Sequence, residues 1–273
     1  MESETLFSLK NKVVVVTGGT GILGGSFVKG IAGAGGVAII LGRNEAVGKQ
    51  RADEINAGGG KAFSIVADVL EEKDLAKARD LILEKYGTID GLVNAAGGNM
   101  PEGVLQPDAD IFSMNLEGMK KAMVLNLWGT ITPTQIFGAV MAKNGGGSIV
   151  NISSVSSVQA VTKVLGYSMG KAAVDCYTKW FAVEVANRFG DTIRMNSIMP
   201  GFFLTEQNRT LLTNPDGSYT DRGNLVIKNT PYKRFGKPEE LVGALIYLLS
   251  DASRFVTGMQ LGVDGGFTVF SGV

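Results

Sequence analysis

No histidine occurs among the 273 residues, and cysteine occurs once. These two absences exclude whole classes of chemistry. A Ser-His-Asp or Cys-His nucleophile, a His-ligated zinc and a thiolate cluster all need side chains that this protein lacks, so no metal site is expected. Cys176 cannot close an intrachain disulfide, which fits a reducing compartment, and its apolar helical surroundings predict a packed core thiol. Excess charge is also missing: Lys plus Arg and Asp plus Glu both number 26. No net field favours nucleic acid or an anionic membrane, and neither is expected as a partner. No apolar run approaches the ~20 residues needed to cross a bilayer. The start, MESETLFSLKNK, has neither the basic nor the apolar region of a secretory signal. A soluble, cytoplasmic protein is expected, whose acid/base work falls to Tyr, Lys, Asp, Glu or a bound cofactor.

Glycine, by contrast, is abundant, with 38 residues concentrated at the ends of short β-branched apolar runs. Such runs predict strands at Lys12–Thr17, Gly36–Leu41, Lys61–Ala67, Ile89–Asn94, Ser148–Ile152, Ile193–Ile198 and Gln260–Val263. Helical periodicity fills the gaps near Ile22–Ala34, Ala46–Asn56, Glu72–Tyr86, Glu117–Ala142, Val164–Phe189 and Pro238–Leu249. Strands alternating with helices imply an α/β fold: a Rossmann-like, doubly wound, mostly parallel seven-stranded sheet with helices on both faces. No linker or repeat divides residues 1–273, so one domain is expected. Residues 201–236 lack a strong strand or helix signal and read as a substrate loop, a mobile surface excursion being the plainer alternative.

The first strand runs straight into Thr17-Gly18-Gly19-Thr20-Gly21-Ile22-Leu23-Gly24. Gly19, Gly21 and Gly24 satisfy G-x-G-x-x-G between a strand and a helix, the arrangement that cradles a dinucleotide diphosphate at a helix N-terminus. On this reading Gly19 permits the sharp turn, Gly21 the close backbone approach and Gly24 tight helix–strand packing. At the end of the second strand stands Leu41-Gly42-Arg43-Asn44, with no carboxylate to hold a ribose 2′-hydroxyl. Arg43 leans the choice between NAD and NADP towards NADP, or is simply an exposed residue opening a helix. Asp68 and Val69 close the third strand, where a carboxylate can accept from an adenine amino group or merely cap a turn.

Tyr167 and Lys171 lie four residues apart in a helical pattern and share a face. A phenol with its ordinary pKa of roughly 10 is a poor base near neutrality, and a neighbouring ammonium improves it. That spacing is also common on any half-buried helix. Ser148–Ser154 reads as a buried strand ending in hydroxyls, at the strand end where parallel sheets place ligands.

Together with Asn94-Ala95-Ala96-Gly97, Asn126 and Arg194-x-Asn196-x-Ile198-x-Pro200-Gly201, these residues resemble the short-chain dehydrogenase/reductases over about residues 10–273. The resemblance implies a nicotinamide-dependent oxidoreductase with Tyr167 as proton donor or acceptor. It implies that Lys171 binds the nicotinamide ribose and lowers the tyrosine pKa, that Ser154 donates to the substrate oxygen, and that Asn126 holds a relay water. Gly18, Gly19, Gly21, Ile22, Leu23, Asn94, Ala95, Gly97, Pro200, Gly201, Phe203 and Thr205 fall at cofactor-binding positions. One departure is visible: Ile22 stands where the family's T-G-x-x-x-G-x-G turn has glycine. The family also implies a homo-oligomer, a dimer or tetramer, formed through the helices bearing Asn126 and Tyr167.

Pro200–Arg209, Asp216-Gly217-Ser218, Arg234-Phe235-Gly236 and the terminal Phe270-Ser271-Gly272-Val273 resemble one branch of that family, the D-mannonate oxidoreductases, or fructuronate reductases, of the short-chain type. This implies a sugar-acid substrate, with 5-ketogluconate, a 3-ketoacyl thioester or a non-catalytic dinucleotide sensor as alternatives. A hexuronate needs a cation and polar donors. Lys163 and Arg209 are the candidate cations, and Asn99 and Gln207 the candidates for hydroxyls.

Overall fold

A computed structural model describes residues 3–106, 108–205 and 208–272. Seven strands form one sheet: β1 Val13–Thr17, β2 Val37–Gly42, β3 Lys61–Val66, β4 Gly91–Asn94, β5 Gly147–Ile152, β6 Ile193–Pro200 and β7 Gln260–Val263. Their order is β3-β2-β1-β4-β5-β6-β7, and every pairing is parallel. The winding reverses between β1 and β4, and such a switch point opens a crevice at the carboxyl ends of the strands.

All five residues of β1 are buried because both faces of the sheet are covered. The helices are α1 Ser3–Leu6, α2 Ile22–Gly33, α3 Glu45–Ala57, α4 Glu72–Tyr86, α5 Leu116–Met123, α6 Gly129–Lys143, α7 Leu165–Phe189, α8 Arg209–Leu212, α9 Asp221–Asn229 and α10 Val242–Leu249. Val13 and Val15 pack with α4, α6 and α7, through side chains such as Ile82, Phe137 and Ala182. Val14 and Val16 pack on the other face with α2, α3 and α10, through Phe27, Ile55 and Leu245. Period-two alternation along a strand thus sorts one apolar run into two cores.

The helix predicted over Glu117–Ala142 is two helices joined by a π turn, Val124–Trp128. Pro133, inside α6, has no N–H to give to the preceding turn. Among its described residues, the segment 201–236 carries more regular structure than its sequence suggested. It carries α8 and α9, bridges Phe203 to Gly236 and Thr213 to Tyr219, and closes on its own apolar cluster of Leu212, Val226 and Phe235.

Cys176 corrects an expectation: it is exposed, not packed in the core. Helix α7 is apolar on more than one face, and Trp180 and Val183 are exposed beside it. Among the described residues, no helix is long and apolar enough to cross a membrane, and no group of His, Cys, Asp or Glu is placed to hold a metal.

Candidate active site

The carboxyl ends of β1, β4, β5 and β6 converge on a cavity of about 310 Å³. Its wall includes Gly18, Gly21, Ile22, Leu23, Ala95, Gly97, Asn99, Ser154, Tyr167, Lys171, Pro200, Gly201, Phe203 and Thr205, residues scattered over nearly two hundred positions of sequence.

Ser154 follows β5 in extended conformation. Its Oγ accepts from the Ser156 N–H at 3.2 Å and from the Ser156 hydroxyl at 3.1 Å. The Tyr167 hydroxyl lies beside it, and both side chains line the cavity. Burial pushes the Tyr167 phenol above its ordinary range, and the neighbouring Ser154 hydroxyl pulls it back. The sequence pointed to Lys171 for that pull. The structure differs, because the Lys171 ammonium is turned to the Ile152 carbonyl at 2.7 Å and lies 5.6 Å from the centre of the Tyr167 ring. Burial lowers Lys171 itself to about 8, partly opposed by Asp175 one turn along α7.

Asn126 sits in the π turn, fully buried behind the cavity wall. Its Nδ2 donates to the carbonyls of Gly98 and Ala122, each at 2.8 Å, and its Oδ1 accepts from the Gly98 N–H at 3.1 Å. The whole amide thereby clamps the backbone leaving β4. Thr17, not singled out from sequence, does the same from β1: its Oγ1 accepts the N–H groups of Ala95 and Ala96, each at 3.1 Å.

The glycine turn fits a dinucleotide cradle. Gly18 has φ 65°, so the sharp left-handed turn belongs to Gly18 and not to Gly19, as the motif had suggested. A Cβ on Gly24 would stand 2.2 Å from the Gly18 carbonyl oxygen, so the helix and the turn touch backbone to backbone. Helix α2 opens at Gly21 with no side-chain cap, and an uncapped N-terminus offers orphan N–H groups to an anion. Arg51 of α3, also missed in the sequence, donates to the Gly19 carbonyl at 2.6 Å and to the Gly21 carbonyl at 2.7 Å.

Other predicted residues do not reach the cavity. Gly19 lies behind the turn, against Ile40. Asn94 is buried in the sheet, its Nδ2 donating to Thr134 and Asn151, each at 2.9 Å. Arg43 and Asp68 stand at the ends of β2 and β3 and approach one another at 3.6 Å. Asp68 Oδ1 caps its own turn through the Leu70 N–H, and Val69 is buried against Gly129. Lys163 takes a left-handed turn, φ 77°, that leaves Val161 and Val164 on the wall instead. Arg209 is exposed, because the face of α8 lining the cavity is that of Asn208, Leu211 and Leu212. Gln207 lies outside the described residues. The basic side chain that lines the cavity in this region is Arg222 of α9.

The family described as enoyl-(acyl carrier protein) reductase matches residues 21–268. An uncharacterized oxidoreductase of Bacillus subtilis, UxuB, is 40% identical, covering 97% of this chain and 98% of its own. A solved structure of a candidate D-mannonate oxidoreductase of Haemophilus influenzae with bound NAD is 37% identical and covers all of both chains at a TM-score of 0.90. A gluconate 5-dehydrogenase of Burkholderia cenocepacia, solved with NADP and tartrate, is 33% identical, covering 98% of this chain and 99% of its own at 0.86. The chain belongs to the short-chain dehydrogenase/reductase family and is an NAD(P)-dependent oxidoreductase.

Proposed function

We propose that the protein interconverts D-fructuronate and D-mannonate, a sugar-acid ketone and its alcohol, with Tyr167 as acid/base. The observation that carries a carbonyl reaction is the pairing of Ser154 and Tyr167 on the wall of a glycine-lined cavity. The full-length likeness to a candidate D-mannonate oxidoreductase supports the substrate. The likeness to a gluconate 5-dehydrogenase favours 5-ketogluconate as the second reading. A non-catalytic dinucleotide sensor is a poor match, because Ser154, Tyr167 and Lys171 are all in place.

Gly18, Gly21, Ile22 and Leu23 would hold the diphosphate, and Ala95, Gly97, Pro200, Gly201, Phe203 and Thr205 the nicotinamide half. The bound dinucleotide supplies or accepts the hydride. Ser154 donates to the substrate oxygen and polarises the carbonyl. Tyr167 gives its phenolic proton to that oxygen in reduction and takes it back in oxidation. Lys171 places a positive charge beneath the phenol and bonds the ribose. Asn126 fixes the Gly98 backbone and with it the cavity floor. At the ends of β2 and β3, Arg43 favours NADP over NAD, with Asp68 and Val69 beside the adenine. Exposed Trp128, Trp180 and Val183 suit assembly of two or four copies through α6 and α7, in a cytoplasmic enzyme.

The test is an assay of D-fructuronate, D-mannonate, 5-ketogluconate and a 3-ketoacyl thioester against both dinucleotides. D-Fructuronate should give the highest kcat/KM. Tyr167→Phe should lower kcat by about 10²- to 10⁴-fold with dinucleotide Kd within about twofold. Near-normal turnover in that variant removes Tyr167 from the chemistry.

A further inference from the structure

Among the described residues, no acidic side chain lines the cavity and two basic ones do, Lys171 and Arg222. Lys171 gives one donor to the Ile152 carbonyl, and the reading above assigns the rest of its ammonium to the ribose. Arg222 is differently placed. It belongs to α9 and is half-buried. Two of its guanidinium N–H groups are directed at one residue: Nη1 to the Thr162 hydroxyl and Nη2 to the Thr162 carbonyl, each at 3.2 Å. A guanidinium carries five donors, so three stay open. Among the described residues no carboxylate comes within ion-pair distance of it. Here a cation oriented by two hydrogen bonds on the cavity wall has no anionic partner among the described residues.

Its position separates it from the diphosphate cradle. Thr162 precedes Tyr167 by five residues, so the guanidinium is anchored at the entrance to the helix that carries the phenol. The glycine turn belongs to β1 and α2. Asn99 lines the same cavity and makes no hydrogen bond to any described residue. A guanidinium with three open donors and an amide with no partner among the described residues suit a small polyhydroxy carboxylate.

We propose that Arg222 is the specificity-determining residue that binds the substrate carboxylate, in place of Lys163 or Arg209. The inference rests on the sugar-acid reading above and assigns that reading's missing anion contact to one side chain. Thr162 holds the guanidinium at a fixed angle, so the carboxylate meets a fork already oriented.

The experiment compares wild type, Arg222→Met and Arg222→Lys with D-fructuronate and with D-fructose, the uncharged counterpart. The readout is the ratio of kcat/KM for acid over neutral ketose, with dinucleotide Kd measured alongside. The ratio should fall by about 10- to 100-fold in Arg222→Met, mainly through KM, and by less in Arg222→Lys, which keeps the charge and loses the fork. A purely structural role would depress both substrates alike. A ratio within twofold of wild type overturns the proposal while hexuronate turnover still stands. Should wild type turn over neither ketone, the D-fructuronate reading falls, and calorimetry with D-gluconate on the dinucleotide-loaded protein decides Arg222 separately. Binding to wild type that Arg222→Met abolishes supports the assignment; no binding to wild type, or equal binding to both, overturns it.

Discussion

The Lys171 ammonium donates to the main-chain carbonyl of Ile152 at 2.7 Å, tying the helix that carries Tyr167 to the strand that leads to Ser154. The bond fixes two halves of the site on one another, and its cost is a charge taken out of water. Burial draws Lys171 down from its ordinary 10.5 to about 8.

The sign of the resulting pH dependence follows from which state holds the proton. Below pH 8 both the folded and the unfolded protein carry the charge, and the folded state bears the full penalty. Between about 8 and 10.5 the folded state has lost the proton and the unfolded state still holds it. Stability from this group therefore rises with pH across that window, by on the order of 3 kcal/mol. Tyr167 and Tyr177 are shifted upward, so their opposing effect begins only above pH 10. Urea denaturation at pH 7, 8.5 and 10 should show wild type gaining on Lys171→Met by about 2–3 kcal/mol. A pH-independent difference would mean that the ammonium is not desolvated.

The glycines of the phosphate turn predict a split between folding and binding. A Cβ on Gly24 meets backbone at 2.2 Å, and backbone cannot step aside as a flexible side chain can. Gly24→Ala should cost roughly 3 kcal/mol or more of stability. Gly21→Ala meets only the Gly18 oxygen, at 3.3 Å. Its stability should drop by less than about 1 kcal/mol, whereas its dinucleotide Kd should rise about tenfold or more because the new methyl group stands on the cavity side. Gly33→Ala meets nothing within 4 Å at the end of α2 and should be neutral or stabilising by up to about 1 kcal/mol. Equal Kd values for Gly21→Ala and wild type would move the diphosphate away from this turn.

The π turn makes a third prediction. All three hydrogen bonds of the Asn126 amide go to the main chain of Gly98 and Ala122, in a fully buried setting. Removing the amide leaves those groups unpaired, each at a cost of roughly 1–3 kcal/mol. Asn126→Ala should lose about 2–4 kcal/mol in equilibrium denaturation, and residual activity should fall with the floor of the cavity. Stability unchanged in that variant would show that Gly98 is held by other contacts.

The parts of this architecture legible in the sequence are those written as periodic burial. The run Val13–Val16 has to be a strand covered on both faces, and residues such as Tyr167 and Lys171 share a face because the helix repeat dictates it. Contacts made by single polar side chains across long sequence separations left no such trace. Arg51 reaches back to Gly19, Thr17 holds Ala95, and Arg222 leans on Thr162, all through loops or helix faces with no repeat to betray them. The short helices α8 and α9 were hidden for a related reason. Arg209–Leu212 is a single turn, and Asp221–Asn229 has only Val226 among its apolar residues fully buried, too few for a convincing stripe. Lys163 and Arg209 were attractive as cations by neighbourhood alone, and neither lines the cavity.

The proposed preference for NADP rests on the end of β2, outside the cavity. Gly42 occupies the end of that strand, where an acidic side chain would select NAD, and a Cβ there would stand 2.6 Å from the Thr20 hydroxyl. Thr20 thus crowds out a carboxylate, and the next residue is the exposed Arg43, whose contact with Asp68 at 3.6 Å is a surface pair worth little. The guanidinium can exchange that pair for a 2′-phosphate at small cost, because a phosphate offers a bidentate, doubly charged partner. Arg43→Ala should raise KM for NADP by about tenfold and leave KM for NAD within about twofold. Parallel loss of both dinucleotides would place Arg43 on the adenine ring instead, and loss of neither would leave it a plain surface residue.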